Sequence, residues 1–534
     1  MDSQPHHQLH VTFLPYPAPG HMNPMVCTAR LFAKHGVGVS VTIITTHANA
    51  LTFQKAIDSD FSSGYHIRTQ VVPFPAAQVG LPDGVENFKD GTSPEMLGKI
   101  RQGVLMLQDQ IELLFQVLQP DCIVTDICYP WTVESAAKLG IPRILFYGSS
   151  YFSNCASNSI MKHRPHESLV SDTQKFTIPG LPQIIEMTSL QLAEWMRTKT
   201  PLTGYVEAMF ESESRSYGAL YNSFHELESE YEQLHKSTVG IKCWTIGPVS
   251  AWINKDDEQN ANRGQKEDLA QEPEWLNWLN SKQNESVLYV SFGSITRLSH
   301  AQLVELAHGL EHSGHCFIWV IRKKDGIENE ESFLKDFEKR MKESNKGYII
   351  WNWAPQLLIL DHTAIGGIVT HCGWNSIIES LNVGLPMITW PMFGDHFFSE
   401  KFLVDVLKIG VPVGAKENKF WASVDEDAVV GRQEIAKAVV QLMGKEESSE
   451  MRRRARKLGD ASKKTIEEGG HSYNNLIQLI DELKSLKISK ALTRSRGGTN
   501  YAELEPTRPI REDDQDRFVS NGVATSIFMG NTEN

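Results

Sequence analysis

Between Trp353 and His396 the chain reads WAPQLLILDHTAIGGIVTHCGWNSIIESLNVGLPMITWPMFGDH, setting Trp, His, Asn, Ser, Glu and Asp among apolar runs. The local pattern predicts a strand over 367–370, a turn over 371–374, a helix over about 375–383, Gly384 as its stop and a strand over 386–390. A helix that begins at the carboxyl end of a strand presents unpaired N–H groups and the positive end of its dipole. That suits a phosphate, with a diphosphate as the natural candidate. Taken alone, Ser376-x-x-Glu379 also fits a capping box that needs no ligand, and an isolated Trp353 is more often a core aromatic. Together with His371, Asn375 and the Asp395-His396 pair, these residues make the constellation a nucleotide sugar would require. A flat aromatic stacks on a base, a carboxylate takes ribose hydroxyls, helix-end donors hold a diphosphate, and paired polar groups read a sugar.

Transfer of a sugar to a hydroxyl needs a group that takes the proton, and imidazole titrates nearest working pH. Of 19 histidines, His21 falls between the first strand-like run and the first helical one, at the carboxyl edge of a sheet. Alone, it would read as a surface loop histidine. Asp126 ends the run CIVTD and should reach the same edge, where its carboxylate could orient the ring and stabilise its charged form.

The elements that must position these residues follow from the pattern. LHVTFLPYPAPGHMNPMVCTARLFAKHGVGVSVTIITT reads as strand, loop, helix, strand, with Asn23 as cap, Pro24 at the first helical position and Gly36 as stop. CIVTD and PRILFYG continue a wound parallel sheet. A second βα series begins at SVLYVSFGS and includes HCFIWVIR, GYIIW, GGIVT and LPMITW. The expected class is therefore α/β, with two Rossmann-like domains whose parallel sheets face a cleft. The first spans 1–250, a polar, charged linker 251–275, the second 276–490 with a closing C-terminal helix, and a disordered tail 491–534. Asp514-Gln515-Asp516 in that tail matches a metal-binding D-x-D pattern, but an unstructured tail cannot preorganise a metal, and the acids read as solvated charge.

Bulk properties narrow the function classes. The 534 residues carry 52 Lys+Arg against 65 Asp+Glu, a net charge of −13, which argues against a nucleic-acid partner. Seven scattered cysteines form no C-x-x-C pair and read as buried thiols in a reducing compartment. No apolar run is long enough to span a membrane and no leader pattern opens the chain, so a cytoplasmic protein is expected. PAPGHMNP stands where a G-x-G-x-x-G would mark a nicotinamide-dependent oxidoreductase.

Over its whole length the Trp353–His396 stretch resembles the signature box of plant family 1 UDP-glycosyltransferases. The resemblance extends through PAPGHMNP, VTDICYPW, FPAAQVGLPDGVENF, YNSFHELE and VLYVSFGS, roughly residues 8 to 490. GLPDGVENF and NKGYIIWNWAPQ look most like the branch acting on triterpenoid saponins and related phenolics. The resemblance implies a GT-B fold, a UDP-sugar donor, no metal or other cofactor, and inverting transfer to a hydroxyl of a small apolar acceptor, a saponin or its aglycone ahead of a flavonoid or other phenolic. It implies that His21 is the base and Asp126 its partner. By the same resemblance Trp353 stacks on uracil, the Ala354 backbone reads the uracil edge, and Glu379 with Gln356 binds ribose. His371, Asn375, Ser376 and Ser294 would contact the diphosphate, and Trp374, Asp395 and His396 would face the sugar. A non-catalytic UDP-sugar-binding protein is the rival of another class, and the presence of His21 and Asp126 argues against it. Family members using UDP-glucose usually end the box in Gln. His396 puts glucose in doubt and leaves galactose, xylose, arabinose and glucuronic acid as donors. Segments 72–88 and 178–203 are the expected walls of the acceptor pocket.

Overall fold

The computed structural model describes residues 8–256, 273–322, 328–419 and 429–495. The run LHVTFL forms the strand Leu9–Leu14, buried everywhere except at His10, as a parallel strand covered on both faces demands. It lies inside a seven-stranded parallel sheet whose spatial order is Ile67–Val72, Val39–Thr46, Leu9–Leu14, Cys122–Asp126, Arg143–Tyr147, Gly218–Tyr221, Lys242–Thr245. A second, six-stranded parallel sheet runs Gly347–Trp351, Cys316–Ile321, Val287–Ser291, Ile365–Thr370, Met387–Thr389, Gly410–Pro412. The fold is thus the expected pair of Rossmann-like α/β domains.

In both sheets the order of winding reverses beside the first strand, and in open α/β sheets ligands bind in the crevice outside the carboxyl ends at that point. In the first sheet Leu14 pairs with Thr125, so the segment leading to His21 and the strand-ending Asp126 leave the sheet side by side. In the second, Ser291 pairs with Thr370, which does the same for the loop carrying Ser294 and for His371. Winding alone brings four of the expected site residues to two crevices.

Two boundaries differ from expectation. The first helix runs Pro19–His35 with Ala18 as cap, because Pro19 serves at the first position as well as Pro24 would. His21 therefore stands on the helix's first turn, and Pro24 lies inside the helix. In the expected linker, residues 251–256 belong to the helix Val249–Asp256, which buries Val249, Trp252 and Ile253 in the first-domain core. Residues 257–272 lie outside the described residues, and the helix Glu274–Asn280 follows.

The closing helix, His471–Ser495, returns to the first domain. Leu476, Leu479, Ile480 and Leu483 are buried with Leu9, Val11 and Trp244. Asn475 Nδ2 donates to the Thr245 carbonyl at 2.9 Å, and Lys487 Nζ to Asp121 Oδ2 at 2.7 Å. The last helix thus completes the first core, and it runs five residues past the expected boundary at 490, into the expected tail. The rest of that tail, with Asp514 and Asp516, lies outside the described residues. Fully buried Leu479 should lose about 2–5 kcal/mol of stability on Leu479→Ala. Ile488→Ala, at a 56% exposed position of the same helix, should change stability by about 0.5 kcal/mol or less. Urea titrations of the two variants check the contrast.

Candidate active site

His21 Nδ1 lies 2.8 Å from Asp126 Oδ2. The carboxylate is fully buried while the imidazole stays 40% open to the cleft. The other oxygen, Oδ1, accepts from the Cys128 N–H at 2.9 Å, so the strand end and the turn after it lock the carboxylate in place. A carboxylate can only accept, which puts the ring proton on Nδ1 and leaves the Nε2 lone pair for an incoming hydroxyl. Burial opposes a charge on His21, but the Asp126 carboxylate, through its charge and its hydrogen bond, and the Asp395 carboxylate outweigh it. They hold the imidazole above its ordinary range. Tyr16 packs edge-on against His21 at 5.7 Å and stacks on Phe88 at 5.2 Å, which supports the ring from the first-domain side. A small crevice lined by Leu14, Pro15, Thr45, Val72, Phe74 and Tyr129 among others lies at the same sheet edge. Val72 and Phe74 come from one of the two segments expected to wall an acceptor. His21, Asp126 and Cys128 are the one group among the described residues whose ligand atoms could converge on a metal. Burial and the Asp126 charge push the Cys128 thiol well up.

The second domain supplies the opposite wall. Trp353 is 41% exposed, which rules out the core-aromatic reading and leaves a flat ring on the surface beside buried Ala354. Gln356 Nε2 donates to Glu379 Oε2 at 2.7 Å and to Ser376 Oγ at 3.3 Å. Its Oε1 accepts from Tyr289 and Ser291 hydroxyls, each at 3.3 Å. The capping-box alternative is not built. The helix Trp374–Asn382 is capped by Gly373 without a side-chain bond, and Glu379 is held by Gln356. First-turn N–H groups of this helix, with no intrahelical partner by construction, start at the carboxyl edge beside His371.

His371 is clamped between two glycines. A Cβ on Gly293 would lie 2.5 Å from its ring, and one on Gly373 only 2.4 Å away. Gly293 also has a left-handed φ of 71°, so glycine is required there twice over, and half-buried Ser294 follows it. Burial lowers the His371 pKa to about 4, and its Nδ1 is enclosed without a hydrogen-bond partner among the described residues. His396 meets that ring edge-on at 5.1 Å; burial, then His371, holds its pKa well below the usual range. His396 Nδ1 accepts from the Phe393 N–H at 3.4 Å, which leaves Nε2–H as a donor. Burial pushes the neighbouring Asp395 carboxyl up, with His21 among the groups that oppose it.

Two expected ligand-facing residues are engaged elsewhere. The Trp374 indole is buried and donates to the Asn222 carbonyl at 2.8 Å, leaving its main chain at the helix start as the part available to a sugar. Asn375 Nδ2 donates to the Gly20 carbonyl at 2.7 Å, and its Oδ1 accepts from Asn222 Nδ2 at 3.4 Å. A diphosphate contact by that amide would compete with bonds across the cleft. Sequence reasoning missed Asn222, although it stands in the motif YNSFHELE. A polar residue directly after an apolar strand was the available signal.

The dyad generates a pH prediction. A base must be neutral to act, and His21 keeps its proton above the ordinary value near 6.5. The rate should therefore rise with pH through a midpoint above 6.5. Asp126→Asn removes the stabilising charge, so its midpoint should move to lower pH while the plateau falls at least about a hundredfold. Profiles of kcat/KM for both proteins check the direction, and an unmoved midpoint would separate Asp126 from the base.

Residues 134–406 match the family model described as UDP-glucoronosyl and UDP-glucosyl transferase. The chain is 54% identical over 484 residues to soyasapogenol B glucuronide galactosyltransferase of Glycine max, covering 90% of this chain and 97% of that protein. It is 42% identical to scopoletin glucosyltransferase of Nicotiana tabacum, covering 90% and 98%. The crystal structure of UGT73P12 of Glycyrrhiza uralensis, complexed with glycyrrhetinic acid 3-O-monoglucuronide, superposes with a TM-score of 0.86 at 49% identity, covering 92% of this chain and 98% of that one. With both sheets in place and these matches over nine-tenths of its length, the chain belongs to the UDP-glycosyltransferase family.

Proposed function

We propose that the protein transfers a sugar from a UDP-sugar to a hydroxyl of a triterpenoid glycoside that carries a glucuronic acid, inverting the anomeric carbon. The observation that carries this reading is the oriented His21–Asp126 pair facing, across the cleft, the first turn of the Trp374–Asn382 helix. The acceptor O–H gives its proton to His21 Nε2 as the oxygen attacks the anomeric carbon from the face opposite UDP. The bond from that carbon to the diphosphate breaks and UDP leaves with the electron pair. Its charge is met by the N–H groups of the helix start and by neutral His371, a scheme that needs no metal. The acceptor class is supported by the two relatives whose names carry a triterpenoid glucuronide. We place the reaction in the cytoplasm, in keeping with free thiols at all seven cysteines. No helix among the described residues is long and apolar enough to cross a membrane.

For the donor we infer UDP-galactose. A Gln at position 396 would offer both an acceptor and donors, whereas His396 has its Nδ1 occupied by Phe393 and presents a donor alone. The relative named as a galactosyltransferase supports the same choice.

The direct test mixes purified protein with UDP-galactose and a triterpenoid monoglucuronide and follows UDP release and product mass. Turnover that His21→Ala abolishes is the expected result, and binding without turnover would favour a sensor. His396→Gln should shift the ratio of UDP-glucose to UDP-galactose turnover toward glucose, with UDP affinity unchanged. Identical donor profiles would move sugar selection to other residues. Trp353→Ala should weaken UDP binding by about 1–3 kcal/mol if stacking here matches base–aromatic stacking elsewhere, equally for every UDP-sugar, as calorimetry can show.

A further inference from the structure

Pro24 sits six residues into the Pro19–His35 helix, where proline is ordinarily unfavourable by about 3 kcal/mol because it lacks the N–H that bonds the carbonyl four residues back. That carbonyl is Gly20's. It accepts instead from Asn375 Nδ2, at 2.7 Å, on the first turn of the opposing helix. Gly20 directly precedes the base His21, and Asn375 directly follows Trp374, whose indole holds the Asn222 carbonyl. Asn222 in turn donates to Asn375 Oδ1 and accepts the Val249 N–H at 3.1 Å. The chain at Gly148 also comes close to the Gly20 carbonyl, where a Cβ would stand 3.1 Å from the oxygen.

We propose that Pro24 is a positioning residue for the transfer reaction. By withholding an amide hydrogen, it frees the Gly20 carbonyl to hold Asn375, and that bond sets the distance between the His21 imidazole and a sugar held by the second domain. Pro24 acts through the Gly20–Asn375 bond. A neighbouring small cavity lined by Asn23, Pro24, Asn222, Asn375 and Glu379 among others places the ribose-binding carboxylate at the same junction. The inference rests on the glycosyltransfer reading above.

The test is a double-mutant cycle on Pro24→Ala and Asn375→Ala, after wild-type turnover has been established. Failure of the wild type to transfer sugar would overturn the functional reading rather than this one. Replacing Pro24 with alanine restores the N–H, so the helix bond competes with Asn375. Pro24→Ala should keep or raise thermal stability and leave UDP affinity within about twofold, while kcat falls about ten- to a hundredfold from misplacement of the reacting groups. In the Asn375→Ala background the same substitution should have no further effect on kcat, because the bond it acts through is already gone. A Pro24→Ala enzyme with wild-type kcat, or two losses that simply multiply, would overturn the proposal. If Pro24→Ala fails to fold, Pro24 is a structural residue and the proposal falls as well.

Discussion

The first turns of two helices touch across the cleft, through Asn375 on one and the Gly20 carbonyl on the other. Each start carries partial positive charge from unpaired N–H groups, so the space between them favours anions and opposes an additional cation. A histidine on such a turn would ordinarily be held neutral. Two carboxylates, Asp126 in direct contact and Asp395 from the other domain, reverse that tendency at His21. The same partial charges suit a departing diphosphate. The proposed base and the proposed leaving-group site would thus both follow from one arrangement, two sheets whose switch points face each other.

Three histidines in the cleft show how surroundings divide one residue type into roles. His21 is partly open and paired to a carboxylate, so it can exchange protons near working pH. His371 and His396 are enclosed, lie edge to face 5.1 Å apart, and have no carboxylate bonded to their rings among the described residues. Desolvation keeps both neutral, and a neutral imidazole binds through one directed N–H rather than through charge. The division is electrostatic, set by burial and by distance to a carboxylate.

The two domains are tied at more than the cleft. Phe152 stacks on Phe402 at 5.2 Å, within an apolar cluster that contains residues of both sheets together with Trp374. The C-terminal helix seals the first core with residues remote in sequence. These apolar contacts let single hydrogen bonds, such as Trp374 to Asn222, set the register, because the bulk of the association does not depend on them.

Much of this was legible in the chain itself. Continuous apolar runs such as LHVTFL and CIVTD imply buried parallel strands, their alternation with amphipathic stretches implies winding, and winding brings residues after the first and fourth strands to one crevice. Winding thus puts His21 and Asp126 at one sheet edge from the sequence alone, whereas Ser294 enters only through the family resemblance. The Trp353–His396 stretch was readable because its elements are consecutive and their spacing is local. Other features needed the tertiary structure because they depend on residues far apart in sequence. The first helix starts at Pro19 rather than Pro24, since two prolines offered equal local signals and the partner of the Gly20 carbonyl lies more than 350 positions away. The last helix joins the first core for the same reason: its apolar residues specify that a face is buried, but not against which sheet. Periodicity determines which side chains leave water, whereas the partner each one meets is decided only when distant segments pack.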